Sequence, residues 1–259
     1  SVVKWIIYAG VIGIIVGAVG ILFHHGIDEA THIRAQIPDM IWFLPFCGLF
    51  IVLMYAALGM ERDRGTNQVL VAVRDGQQLK LRTAPLIFIS TILTHMAGGS
   101  AGREGAALQL GGSLAAYVGR LIRLDGKDGR VMVMCGMSAA FSALFGTPLT
   151  AAVFAMEVVS VGVMYYAALV PALISALAAF ELAKFTGMHT SVGYTVTDFA
   201  RMDPLVLMRI AVLGLLCAVV SILFCKCMHH APHIYGKIFK NPVVRACVGG
   251  ALLLVMTLI

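Results

Sequence analysis

The sequence predicts an all-α integral membrane protein with broken helices, and three observations carry that prediction. Of 259 residues, 60% are hydrophobic and 12% charged, against roughly 45–50% and about 25% in a soluble domain. Apolar stretches near the ~20 residues needed to cross a bilayer recur along the chain. They are continuous and rich in Gly, Ala and Leu, without the period-two alternation of barrel strands, and Gly or Pro interrupts several of them.

The first stretch, residues 5–23, reads as a retained transmembrane helix. No small-residue cleavage site precedes "FHHGIDEA", and further spans follow. Residues 24–39 read as a loop and 40–59 as the next span. Residues 64–75, "RGTNQVLVAVRD", form an apolar run between polar ends that is too short to cross. Residues 85–98 run into a glycine-rich break, "GGSAGREG" (98–105). The stretch 131–156 is broken in turn by "FGTPLT" (145–150), and 158–182, 205–224 and 243–259 complete the pattern.

The net charge of +6 reports orientation rather than nucleic-acid binding, because neither a basic face on a soluble domain nor an aromatic stacking platform accompanies it. The 24–39 loop has one Lys or Arg, Arg34, whereas 60–82 has five: Arg62, Arg64, Arg74, Lys80 and Arg82. The positive-inside rule places the second segment, and the residues before Trp5, in the cytoplasm. Cysteines 47, 135, 217, 225, 227 and 247 lie mainly in apolar stretches, where they behave as small hydrophobes. In "CKCMHHAPH" (225–233) two thiolates and an imidazole have the chemistry of a soft-metal site. Cys-x-Cys side chains point to different helix faces, however, so no metal and no cofactor is expected. Neither a Ser-His-Asp arrangement nor a phosphate-binding spacing occurs, and no enzymatic activity is expected.

A break at membrane depth leaves amides unpaired unless they face protein or a wet cavity. Where it precedes a helix, the free N–H groups and the positive dipole end attract anions. Two segments offer such an end: "RGTN" before Gln68, with Asn67 as N-cap and amide donor, and "GGSAGREG" before Ala106. Gly102 and Gly105 flank Arg103 and Glu104 and would permit unusual backbone conformations there. The glycines are equally readable as a packing break between close helices. Glu104 favours the anion reading, since an acid in a membrane domain is costly and points to function. Its carboxylate could take the anion's place on the same amides and yield on protonation; the alternative is an interfacial acid paired with Arg103.

"GREGA" (102–106) and "MSAAFSALFGTPLTAAVFAMEVV" (137–159) resemble elements of the CLC family of chloride channels and anion/proton antiporters. The first matches the family's GREGP with Ala106 for Pro, the second its AAFxxPL-type stretch from Ala139 to Glu157. The resemblance implies a CLC-type inverted-repeat transporter with broken and re-entrant helices, a multi-pass homodimer in the bacterial inner membrane. It implies a first repeat at 1–186, then a linker and the start of a second at 187–259, the family continuing beyond. Glu104 falls on the gating, proton-carrying glutamate. The anion site it implies includes Gly65, Thr66, Asn67, Gly102, Arg103, Gly105 and Ala106.

Two departures are informative. "DRGTN" stands where the family has its GSGIP filter, and Val158 stands where chloride/proton antiporters carry an internal glutamate, with Glu157 one position earlier. A rewritten filter with the gating acid kept and the inner acid absent is similar to the fluoride/proton antiporters of bacteria. The expected partners are therefore fluoride or chloride, protons and the lipid bilayer. A chloride channel or chloride/proton antiporter is the alternative function. A non-conducting fragment or assembly partner, dimerising through 148–182, is the alternative of another class.

Overall fold

The structure, a computed structural model, describes residues 2–61, 63, 65–159, 164–188 and 203–258. Arg62 and Arg64, part of the apolar stretch 158–182 and most of the linker that opens the 187–259 segment lie outside the described residues. Among the described residues there are ten α-helices and no strand. They are α1 (Val2–Gln36), α2 (Leu44–Ala57), α3 (Thr66–Asp75), α4 (Thr83–Met96), α5 (Arg103–Leu121), α6 (Gly126–Phe145), α7 (Pro148–Glu157), α8 (Leu169–Phe185), α9 (Pro204–Ile238) and α10 (Pro242–Leu258). Short 3-10 turns precede α2 and α8. Four of the helical stretches are long and apolar enough to cross a membrane, which makes this a multi-pass membrane protein.

The expected interruptions are present. Gly146, in the left-handed conformation (φ +68°), ends α6, and Pro148 opens α7 after a one-residue turn at Thr147. α3 is a helix of ten residues, too short to span. The expected loop at 24–39 is corrected: α1 continues through it to Gln36. No proline occurs before Pro38, and His24–Asp28 (2.9 Å, i,i+4) with Thr31 donating to Ile27 O (2.8 Å) hold the polar turns. The 205–224 stretch is likewise only part of a helix, because α9 runs to Ile238 with Pro232 inside it. Cys225, Cys227, His229, His230 and His233 are thus strung along one exposed helix, and no grouping among the described residues could hold a metal ion.

The core gathers around α6, which packs on α5, α8, α1 and α7. Small residues let these backbones approach, as is usual where lipid supplies no hydrophobic contrast. A Cβ on Gly136 or Gly111 would overlap the other's backbone carbonyl. A Cβ on Gly13 of α1 would sit 2.8 Å from Ala178 Cβ of α8. Serines then stitch α6 to α8: Ser138 donates to Ala172 O (3.1 Å), Ser142 to Ala176 O (2.8 Å) and Ser175 to Cys135 O (3.0 Å). All three serines are fully buried, so each hydroxyl finds the carbonyl that burial demands.

One end of the bundle is tied by charge. Lys4 of α1 pairs with Asp128 of α6 at 3.1 Å, and Arg120 of α5 donates to Leu79 O (2.8 Å). This end carries Arg74 and Lys80, two of the basic residues that the charge asymmetry assigns to the cytoplasm. α10 rests on α2, where a Cβ on Gly250 would meet Pro45 backbone at 2.8 Å. α9 has no buried residue.

Candidate functional site

The two interrupted segments meet. At the start of α3, Gly65 is the N-cap with φ +60° and ψ −139°, a conformation that favours glycine. Its N–H donates to Asp63 Oδ1 at 2.6 Å. At the start of α5, Gly102 is the N-cap in an ordinary extended conformation, φ −72° and ψ 136°. Neither helix has a side-chain cap hydrogen bond from its N-cap residue. First-turn amides at both ends are therefore open to another acceptor.

Contact between the two ends is direct. Thr66 Oγ1 lies 3.5 Å from Gly105 O, and a Cβ on Gly105 would come within 2.7 Å of Thr66 Oγ1. Gln109, one turn further along α5 and buried, donates from Nε2 to Gly105 O (3.3 Å) and to Thr66 Oγ1 (3.4 Å). Two positive dipole ends thus converge, with a buried carboxamide bridging them.

Glu104 is exposed in the first turn of α5, and its Oε2 stands 3.3 Å from where a Cβ on Gly102 would be. The carboxylate therefore folds back over the start of its own helix, where the dipole favours a negative charge. Ala106, the next position but one, is buried against Ala107 and the α5 core.

Three sequence expectations are corrected by this geometry. Asn67 is not the N-cap of α3; it is the second helical residue and exposed, because Gly65, at positive φ, takes the cap position. Gly105 is helical and serves close approach to Thr66 rather than an unusual backbone conformation. Arg103 does not pair with Glu104 among the ion pairs of the described residues; its Nη2 is 3.6 Å from Asp28 Oδ1 on α1. Asp28 is held in turn by His24 Nε2 through its other oxygen, at 2.9 Å.

Val158 follows α7 as its C-cap, half-buried against the core, and Glu157 is exposed beside it. A cavity of about 710 Å³ opens along α2, α4, α5 and α10 and reaches the start of α3 through Gly65 and Gln109. Tyr55, Glu61, Asp63 and Arg245 supply its polar wall.

Gln109, Asp63, Asp28 and His24 escaped the sequence reading. Two of them had a local signal: Gln109 is four residues after Gly105 and so one turn above it, and Asp-x-Gly is an Asx-turn pattern before a helix. The Asp28–Arg103 pair spans two distant segments and had none.

Comparison with known proteins follows the same outline. The model of the family described as voltage gated chloride channel matches residues 47–259. A "Chloride/fluoride channel protein" of Pseudomonas syringae pv. tomato is 32% identical over 256 residues, covering 98% of this chain and 56% of the relative. The "H(+)/Cl(-) exchange transporter ClcA" of Yersinia pestis is 28% identical over 172 residues, 59% of this chain and 35% of that protein. The crystal structure of a CLC-type fluoride/proton antiporter superposes with a TM-score of 0.93 at 30% identity, over 98% of this chain and 65% of the other. The chain thus spans little more than half the length of the first of these relatives and about a third of the second. On the family match, the identity and the superposition together, this chain belongs to the voltage-gated chloride channel family.

Proposed function

We propose that the protein transports anions across a bacterial inner membrane, exporting fluoride in exchange for protons. Glu104 acts as its mobile gate and proton carrier. The carrying observation is the contact of the two helix starts at Gly105 and Thr66, with Glu104 on the first turn of one of them. An anion there would be met by amides at the starts of α3 and α5, drawn from Gly65, Thr66, Asn67, Arg103, Gly105 and Ala106. Gly102 caps the second helix. The Glu104 carboxylate competes for the same field, and a proton on it removes the competition.

Fluoride is small and strongly hydrated, so its site must replace water with several strong donors. Convergent amides and the Asn67 carboxamide are of that kind. The names of the Pseudomonas relative and of the superposed antiporter both include fluoride, which supports the choice over chloride. Val158 in place of an inner glutamate is compatible with the same choice. We further assign 1–186 to one repeat and 187–259 to a linker and the start of the next. The protein is a homodimer in this reading, with apolar side chains such as Leu149, Val170 and Leu177 exposed on α7 and α8 for the contact.

Liposomes loaded with fluoride and carrying the intact gene product test this. Fluoride efflux should drive proton entry, and Glu104→Gln should cut the proton movement at least tenfold. Fluoride moving no faster than chloride would transfer the assignment to chloride, and anion flux without protons would make the protein a channel. Dimerisation without any flux would leave the assembly-partner reading.

A further inference from the structure

Gln109 is 6% exposed and stands between the two helix starts, one turn along α5 from Gly105. Its carboxamide lies 3.3 Å from Gly105 O and 3.4 Å from Thr66 Oγ1. A carbonyl oxygen only accepts, so the amide atom beside Gly105 O is Nε2 rather than Oε1. The same nitrogen gives its second hydrogen to Thr66 Oγ1. That fills an acceptor position on the hydroxyl and leaves its own hydrogen to be donated. Thr66 Oγ1 donates to Gly105 O across 3.5 Å. Gly105 O already receives Nε2 and, four residues earlier in the same helix, the backbone N–H of Gln109. With both its lone pairs engaged, the Thr66 contact is the longest of the set and the easiest to exchange.

We propose that Gln109 is a positioning residue for anion selectivity: it commits the Thr66 hydroxyl to donating, so that the O–H turns from Gly105 O to the anion and favours fluoride over chloride. The proposal rests on the anion-transport reading above and deepens it. The cavity that reaches Gly65 and Gln109 leads to this point. When the anion arrives, the O–H swings to it while Nε2 keeps both of its bonds, so no buried polar group loses its partner. Fluoride gives up the stronger hydration shell and accepts the stronger hydrogen bond, so a committed donor matters more to it than to chloride. A hydroxyl without the Nε2 contact would present its lone pairs part of the time, and these repel either anion. Gln109 itself neither touches the anion nor titrates; it acts through Thr66.

Gln109→Met separates this role from mere filling of space. Methionine is unbranched and of similar length, so it occupies the same gap, but it has no N–H to give. A lone pair of Gly105 O is then free, and the Thr66 hydroxyl stays turned to it. With the intact gene product in liposomes, the ratio of fluoride to chloride flux should fall at least fivefold. In a Thr66→Val background, where the hydroxyl is gone and the branched shape kept, Gln109→Met should change that ratio less than twofold, a non-additivity that a role outside Thr66 would not produce. An unchanged ratio in Gln109→Met overturns the proposal, and so do losses that multiply in the double variant. Thr66→Val alone leaves Gln109 in place and should itself lower the ratio at least fivefold. An unchanged ratio there overturns the proposal even where Gln109→Met does not reconstitute. If the wild type carries no anion, or fluoride no faster than chloride, the transport reading falls first and this proposal with it. If the wild type favours fluoride and the variants favour it equally, only this proposal is lost.

Discussion

Asp28 of α1 and Arg103 of α5 form an ion pair at 3.6 Å that reaches from the polar end of the first helix to the residue beside the candidate gate. The guanidinium is thereby drawn toward α1. His24 holds the second Asp28 oxygen at 2.9 Å, so the carboxylate that positions Arg103 is itself positioned.

Replacing Asp28 by Asn should therefore release Arg103 toward Glu104 without unfolding the protein. Asp28 is half exposed, and such a pair is worth about 0–1 kcal/mol after screening by solvent. The thermal unfolding midpoint should barely move. A cation newly near the gate favours its charged, blocking form, so the flux-against-pH profile should shift to lower pH and flux at neutral pH should fall a few-fold. An unmoved profile would show that Arg103 is indifferent to its partner.

Gly105→Ala should push the two helix starts apart, because the new methyl would lie 2.7 Å from Thr66 Oγ1. Overpacking of this kind costs about 1–3 kcal/mol. Flux should fall tenfold or more while the protein stays monodisperse. Adding Thr66→Ala removes the obstructing oxygen, so the double variant should recover part of the loss, a non-additivity readable from a double-mutant cycle. Additive losses would place the defect elsewhere.

Gly111→Val tests the core rather than the site. The added side chain meets the Gly136 carbonyl, a backbone atom of α6 that cannot rotate away. Yield of monodisperse protein in detergent should collapse. By contrast, Ser142→Ala should cost only about 0.6 kcal/mol, the average for a hydrogen bond between membrane helices, visible as a small fall in the unfolding midpoint. Wild-type yield from Gly111→Val would mean that α5 and α6 do not pack this closely.

Much of this architecture was legible in composition and punctuation. The break at Gly146 and Pro148, the short α3 and the helix starting at the "GREG" segment all follow from where small residues and proline interrupt apolar runs. Helix ends in polar sequence were less legible: α1 passes through "FHHGIDEATHIRAQ" because contacts one turn apart support it, and hydropathy does not register them. The N-cap of α3 was misplaced because Asn67 has the better intrinsic preference, whereas the chain turns at Gly65. The bridges made by Gln109 and Asp28 depend on which helices become neighbours, and local patterns carry no such information.

The length of α1 has an electrical consequence. Its 35 residues measure about 52 Å at 1.5 Å per residue, and even at a tilt of ~40° they rise about 40 Å against a hydrocarbon core of ~30 Å. With Lys4 at one face, Asp28 lies about 36 Å further along the axis, and at the average tilt of ~20° it comes out about 34 Å away, among headgroups and dissolved ions. There the Debye length is about 8 Å at physiological ionic strength. The tether on Arg103 is therefore subject to the salt of the surrounding medium, while the serine bonds between α6 and α8 are not.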